Sequence, residues 1–397
     1  MSGKKYFQSV LTGMVLGILL AGIFGAGFFF RDFIDSQRIN TYQDKSLDYP
    51  LLREVQTVID SIFLREQPSE TQREYAAIRG MLSELGDKNT FFIDPPVAQS
   101  ESDVLSGTYG GIGVALKRNE KGEIELYPFD DSPANQRGVI AGSILVAVNG
   151  VLITLEDQQD AVDQLLRGEV KEGSGVEITI RPPKTNTDKT VFIEFAVINI
   201  PSVVWRVLAE DERIGYVQLI RFTNRTPDEL KQALNDLKTQ SIQAIVLDLR
   251  NNGGGLLQES IVVASQFLGN GVIAYEVSRD GETAYPVIEG GLTTALPMAV
   301  LVNSRTASAS ELVAGAIRDR ERGILIGQTT YGKGTVQQIY PLSDGSSVHV
   351  TFAEWLPPSK ISLEGIGLSP DISMIPDANG RDVELGEAIR YLTKSLE

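Results

Sequence analysis

Three loops of this chain hold residue types that could do nucleophilic chemistry. The first, Asn303-Ser304-Arg305-Thr306-Ala307-Ser308-Ala309-Ser310-Glu311, runs from an apolar strand into a helix whose Leu312, Val313, Ala316 and Ile317 face a core. A serine at a helix start is most often a cap. Ser308, between two alanines, also suits a crowded nucleophile turn, where the next N–H, that of Ala309, lies beside a carbonyl oxygen that becomes negative. The second loop, Gly327 to Gln337, sets Lys333 between Gly332 and Gly334, after the strand Ile324-Leu325-Ile326. Most lysines are solvated surface charges. One held in such a turn is less exposed, burial favours its neutral form, and a neutral amine beside a hydroxyl is a general base. The third loop, Asp248-Leu249-Arg250-Asn251-Asn252-Gly253-Gly254-Gly255, lets backbone approach closely and aim N–H groups. It reads either as an anion or oxyanion site or as a plain strand–helix turn.

Composition narrows the chemistry. The chain has no cysteine, which removes thiolate nucleophiles, disulfides and thiolate metal sites, and its one histidine, His349, rules out a multi-histidine metal centre. A Ser-His-Asp triad would have to use His349, which sits in the alternating stretch Ser346 to Thr351 and reads as a sheet residue. Gly327-x-x-x-x-Gly332-Lys333 approaches a phosphate-binding loop, but Gly334 stands where that loop needs Ser or Thr. A net charge of −16 speaks against nucleic acid as a partner. No metal or cofactor is called for.

The elements that must position these loops follow from periodicity. With 397 residues, more than one domain is expected. From Trp205 to Pro376 strands alternate with helices: strands at 214–220, 244–249, 298–302, 323–326 and 346–353, helices at 227–237, 256–268 and 311–318. That alternation predicts a largely parallel sheet with its sites at the carboxyl ends of strands. Upstream, residues 51–86 read as two helices, the second opened by a Ser69/Gln72 capping box and stopped by Gly86. They either pack on the core or pair with another subunit.

Between them, residues 105–195 show short strands and turns. Gly110-Gly111-Ile112-Gly113-Val114, the hairpin signal Asn149-Gly150, a helix from Asp157 and a strand at 175–181 follow in the order that resembles a PDZ domain. There Gly111, Ile112, Gly113 and Val114 would receive a peptide carboxylate and pair with the peptide as an added strand. Gly142-Ser143 stands where PDZ domains of bacterial proteases usually have Gly-Asp. At the N-terminus, Lys4 and Lys5 precede an apolar run from Val10 to Phe30. It is long enough to span a bilayer, with the remainder outside the cytoplasm; a cleaved signal peptide is the alternative.

Together the three loops resemble the carboxyl-terminal processing peptidases, family S41, which work with a Ser-Lys dyad. The resemblance covers nearly the whole chain after the apolar run. The family nucleophile is the middle serine of a Ser-Ala-Ser-Ala-Ser-Glu run, here Ser308, with Thr306 replacing the first serine. The family base lies in a Phe/Tyr-Gly-Lys-Gly-Thr-Val-Gln run, here Tyr331 to Gln337. This implies Lys333 as base, 25 residues on (333 − 308), and Gln337 as the residue that orients it. The family's Asn-Pro-Gly-Gly loop reads Asn252-Gly253-Gly254-Gly255, and the implied oxyanion donors are the N–H groups of Gly254 and Ala309. Residues Ala76 to Leu85 resemble the family's N-terminal segment, and Trp355 to Ile372 its closing strand region.

The resemblance implies a multidomain α/β (α+β) chain: a membrane anchor or signal over 1–35, a helical segment over 36–104, a PDZ domain over 105–197 and a crotonase-like peptidase core over 198–397. It implies a serine endopeptidase that cleaves C-terminal regions of extracytoplasmic proteins, needs no cofactor, captures substrate C-termini on its PDZ domain and forms homodimers. Arg167, in a Leu-Arg-Gly turn, is the candidate for coupling the PDZ domain to the active site. The non-enzymatic alternative is a membrane-tethered PDZ scaffold with an inactive peptidase fold.

Overall fold

The computed structural model describes residues 49–397 apart from 120, 158, 294, 378 and 379. The expected membrane anchor lies outside the described residues; among those described, no helix is long and apolar enough to cross a membrane. The chain divides into two compact units between Gln72 and Arg73. In the first, helix Pro50–Ile62 leaves Leu51, Leu52, Val55 and Val58 exposed. The next helix opens with the reciprocal cap that its sequence predicts: Ser69 N–H donates to Gln72 Oε1 at 2.9 Å and Gln72 N–H to Ser69 Oγ at 3.2 Å.

The second unit holds the expected sheet. Strands Val203–Val207, Ile214–Leu219, Ala244–Asp248, Met298–Val302, Ile324–Gly327 and Ile372–Ser373 lie side by side in chain order. The first pair is antiparallel and all the others are parallel. Strands Ala244–Asp248 and Met298–Val302 are buried at every position, because both faces of the sheet are covered. Alternation divides their side chains. Ile245, Leu247, Val300 and Val302 meet the helices Thr226–Thr239, Leu257–Ser265 and Ala309–Asp319 on one face. Val246, Ala299 and Leu301 meet the C-terminal helix Val383–Ser395 on the other. Each of the valine, leucine and isoleucine side chains contributes about 1.5–3 kcal/mol by leaving water.

An antiparallel sheet that the strand–helix alternation did not foretell completes the core. Its central strand Ser347–Leu356 pairs with Phe91–Ile93, Val272–Ser278 and Thr335–Pro341, and Gly281–Pro286 extends it. Of Trp355 to Ile372, likened to a closing strand region, Trp355 and Leu356 end strand Ser347–Leu356 and Ile372 opens strand Ile372–Ser373, with a loop between them in which Leu363 and Leu368 are buried.

Residues 108–199 form a module around a separate apolar cluster that includes Ile112, Leu126, Val162 and Ile178. Its sheet runs Val114–Arg118, Ile124–Pro128, Ser143–Val148, Gly175–Arg181, Lys189–Glu194, with Val114–Arg118 on an edge. Asn149 and Gly150 both take positive φ, 49° and 77°, and Val148 pairs with Val151, so the Asn-Gly hairpin forms as the sequence predicts. Ser143, at the position that departs from Gly-Asp, closes its turn by donating from Oγ to Ile140 O at 2.6 Å.

Candidate active site

The carboxyl ends of the parallel strands bring the three loops together. Asp248 ends its strand and fixes the glycine loop: Arg250 donates to Asp248 Oδ2 at 2.6 Å and to Asp382 of the C-terminal helix cap at 2.6 Å, and Tyr216 Oη donates to Asp248 at 2.7 Å. The glycine and serine loops are then stitched together. Asn251 N–H donates to Asn303 Oδ1 at 3.0 Å, and the Asn252 carbonyl accepts from Ala307 N–H at 3.0 Å and Ser310 Oγ at 2.9 Å. Thr306, which replaces the serine of the family run, is buried and donates from Oγ1 to Leu249 O at 2.9 Å.

Ser308 caps its helix at φ 57° and ψ −121°, a conformation that costs a non-glycine residue about 1–3 kcal/mol. A strained strand–helix turn is what exposes a nucleophile at a sheet's edge. The Ala309 N–H at the next position has no acceptor among the described residues. Gly254 packs against this turn: a Cβ there would lie 2.9 Å from Ser308 Cβ and 2.9 Å from Ala307 O, at φ +98°. Its N–H, however, donates to Asn252 Oδ1 at 2.9 Å, so one of the two implied oxyanion donors is engaged within its own loop. Gly255 is the stricter position, since a Cβ would stand 2.0 Å from Phe222 O at φ +141°. Gly253 has nothing within 4 Å. Gly255→Ala is therefore expected to cost more than about 4 kcal/mol and Gly253→Ala less than about 1, read by thermal denaturation; equal melting temperatures would contradict this.

Lys333 lies in a turn that is walled on two sides. Gly332 takes φ +84° with the backbone of Leu363, Ile366 and Gly367 within 3 Å of where a Cβ would be. Gly334 N–H donates to Glu364 Oε2 at 2.8 Å, and Trp355 Nε1–H to the Lys333 carbonyl at 3.0 Å. Burial pushes the Lys333 amine below the ordinary lysine value, while the carboxylates of Glu101, Glu364 and Asp87 pull it the other way.

Ser308, Ala309, Lys333 and Gln337 line one cavity of about 200 Å³, together with Glu101, Arg221 and His349. Among the described residues no hydrogen bond joins Ser308 Oγ to Lys333 Nζ. Gln337 Nε2 donates to Thr335 Oγ1 at 2.8 Å and Thr351 Oγ1 at 3.4 Å rather than meeting the lysine. His349 stacks on Phe91 at 4.6 Å and lies 2.8 Å from Glu101 Oε2, off the line of a hydrogen bond. It is a sheet residue on the cavity wall, as its alternating stretch predicts.

Glu311 is one member of this site that sequence reasoning missed. Its side chain is fully buried. One oxygen accepts from Ser308 N–H at 2.9 Å and Lys333 N–H at 2.9 Å; the other accepts from Gly332 N–H at 2.7 Å and from Thr330 Oγ1. One carboxylate thus sets the serine loop against the lysine loop. The Ser308-x-x-Glu311 capping-box spacing was the available signal. Glu101 and Arg221 were missed as well; they are distant in sequence and carry no local pattern.

The 108–199 module keeps the remaining predicted residues apart from this cavity. Ile112 is buried, and its N–H donates to Leu166 O at 3.2 Å, which leaves that group engaged. Gly113 takes φ +74°, and Val114 starts the edge strand. On that edge Gln159 Nε2 donates to Leu116 O at 3.2 Å. Gly111 bridges to Arg167, whose guanidinium lies 4.1 Å from the Tyr109 ring centre and pairs with Asp163. Arg167 does not line this cavity.

Comparison with known proteins shows the family. The profile of peptidase family S41 matches residues 213–374. The chain is 35% identical over 364 residues to the carboxy-terminal-processing protease of Bartonella bacilliformis, covering 88% of this chain and 80% of that one. It is 35% identical over 311 residues to the carboxyl-terminal-processing protease of Picosynechococcus, covering 77% and 74%. A crystallised S41 protease candidate from Bacteroides fragilis, 17% identical, superposes with a TM-score of 0.52 over 83% of this chain and 92% of that one, a likeness of fold.

Proposed function

The chain belongs to the carboxyl-terminal-processing proteases of peptidase family S41, serine peptidases that hydrolyse peptide bonds, and from that premise we propose that Ser308 is its nucleophile and Lys333 its general base. The observation that carries this reading is one cavity holding a strained helix-cap serine, an uncommitted N–H beside it and a lysine depressed by burial. Neutral Lys333 takes the Ser308 proton as Oγ attacks the carbonyl carbon. The oxyanion is received by Ala309 N–H, an interaction worth several kcal/mol at such sites. Collapse breaks the C–N bond, and the departing amine takes the proton from Lys333. Water then attacks the acyl group as the neutral Lys333 amine takes its proton, and that proton passes to Ser308 Oγ as the ester bond breaks.

With Gln337 bonded to Thr335 and the Gly254 N–H to Asn252, we read this as a resting arrangement. Productive attack needs Gln337 turned toward Lys333 and the Gly254 N–H freed from Asn252. A route for such a change runs through helix Pro95–Ser106, which brings Glu101 and Leu105 to the cavity. Its Ser100 Oγ accepts from Gln164 Nε2, on the helix beside the edge strand, at 2.6 Å. We assign substrate C-termini to that PDZ-like edge, with Arg167 as coupling residue. The N-terminal apolar run tethers the enzyme outside the cytoplasm, and the exposed face of Pro50–Ile62 joins two copies.

The test is cleavage of an unstructured protein such as casein by the full-length chain in detergent, beside Ser308→Ala and Lys333→Ala. Cleavage by the parent alone supports the dyad, and cleavage surviving either substitution refutes it. Peptide binding without cleavage by the parent favours the scaffold reading.

A further inference from the structure

Arg221 stands in the wall of the catalytic cavity beside Gly255 and Leu256. Its backbone is firmly held. The Arg221 carbonyl accepts from Thr226 Oγ1 at 2.9 Å, and the next residue, Phe222, is fully buried and bridges to Gly255, donating to Gly254 O at 3.0 Å and accepting from Leu256 N–H at 2.9 Å. The side chain therefore arises from the rim of the glycine loop that packs against Ser308. Its Nε is buried with no hydrogen-bond partner, and no ion pair reaches the guanidinium among the described residues. The cavity's own carboxylate, Glu101, lies against His349 instead.

A guanidinium keeps its charge at any working pH, and its planar fork matches a carboxylate. Half-buried and unpaired in a peptidase cleft, it lacks the partner that this chemistry requires. The chain as a whole carries −16, a field that repels acidic peptides, so a fixed local cation is what would admit one. We propose that Arg221 is a specificity-determining residue that receives a carboxylate of the peptide substrate, either an Asp or Glu side chain near the scissile bond or the terminal carboxylate of a short tail. This rests on the Ser308 and Lys333 reading of the same cavity.

The test uses peptides of one sequence, cleaved by the full-length chain. Glu and Gln are exchanged in turn at each position flanking the cleavage point, and the C-terminus is either free or amidated. The parent is expected to favour one carboxylate form over its amide by roughly tenfold to a hundredfold in kcat/KM. Arg221→Gln brings that pair close to parity, Arg221→Lys falls between, and Arg221→Glu reverses the preference toward a Lys-bearing peptide. Preference at an internal Glu identifies a side chain as the ligand, and preference for the free terminus identifies the tail. Equal cleavage of every pair by the parent overturns the proposal. So does a preference that survives Arg221→Gln, which would belong to the PDZ-like edge. Binding of the same pairs to Ser308→Ala and to Ser308→Ala/Arg221→Gln gives the same comparison without turnover. Cleavage by Ser308→Ala would sink the nucleophile assignment while leaving the Arg221 ratios readable.

Discussion

Lys333→Ala is expected to lower kcat by roughly 10⁴-fold or more, with Ser308→Ala at least as severe, while both proteins keep the parental fold. The lysine is held by its loop backbone, through Glu311, Glu364 and Trp355, so truncating its side chain leaves those contacts in place. What is lost is the only amine that lines the cavity among the described residues; the guanidinium of Arg221 cannot act as a base. The pH dependence has a definite sign. The base works when neutral, so the rate rises as pH climbs through the Lys333 pKa, which burial sets below the ordinary lysine value. Glu101 stabilises the charged form; Glu101→Gln therefore lowers that pKa further and moves the acid limb of the kcat profile to lower pH. An unmoved limb, or a His349→Ala loss matching that of Lys333→Ala, would point to a different base.

Glu311→Ala is expected to damage both stability and rate. It orphans the N–H groups of Ser308, Gly332 and Lys333 and the hydroxyl of Thr330 in a buried place. Each orphaned donor costs about 1–3 kcal/mol, so a fall in Tm of roughly 5–15 °C follows. Glu311→Gln is the more informative variant. It keeps the volume but turns an NH₂ group toward one pair of donors, loosening either the Ser308 and Lys333 pair or the Gly332 and Thr330 pair. A loss of about 10²-fold in kcat with KM little changed is expected, because misplacement of the reacting groups by a fraction of an ångström acts on the transition state. Parental kcat and Tm in Glu311→Gln would show that the carboxylate does not position the site.

Much of the architecture was legible along the chain. The parallel strands were readable because a strand covered on both faces is a continuous apolar run, as in Ala244–Asp248 and Met298–Val302. The hairpin at Asn149-Gly150 was readable because few residues other than these accept two positive φ values in succession. The antiparallel sheet was not. Strand Gly281–Pro286 is mostly exposed and Thr335–Pro341 half-exposed, so neither shows the apolar alternation that reveals a strand.

Ser308, Lys333 and the glycine loop can be singled out as candidates from sequence alone, because a nucleophile turn, a lysine packed between two close backbones and a loop against Phe222 each demand particular residue types at adjacent positions. Their working geometry belongs to the tertiary structure. Whether the Gly254 N–H faces substrate or Asn252, whether Gln337 meets Lys333 or Thr335, and which carboxylates surround the lysine are settled by groups far apart in the chain. Glu101, Asp87 and Glu364 reach Lys333 from different segments, and Arg221 reaches the cavity only because Phe222 bridges to Gly255. Local sequence records the shape that a turn must take. Electrostatic and hydrogen-bonding partners act through space, and only the folded chain decides which of them meet.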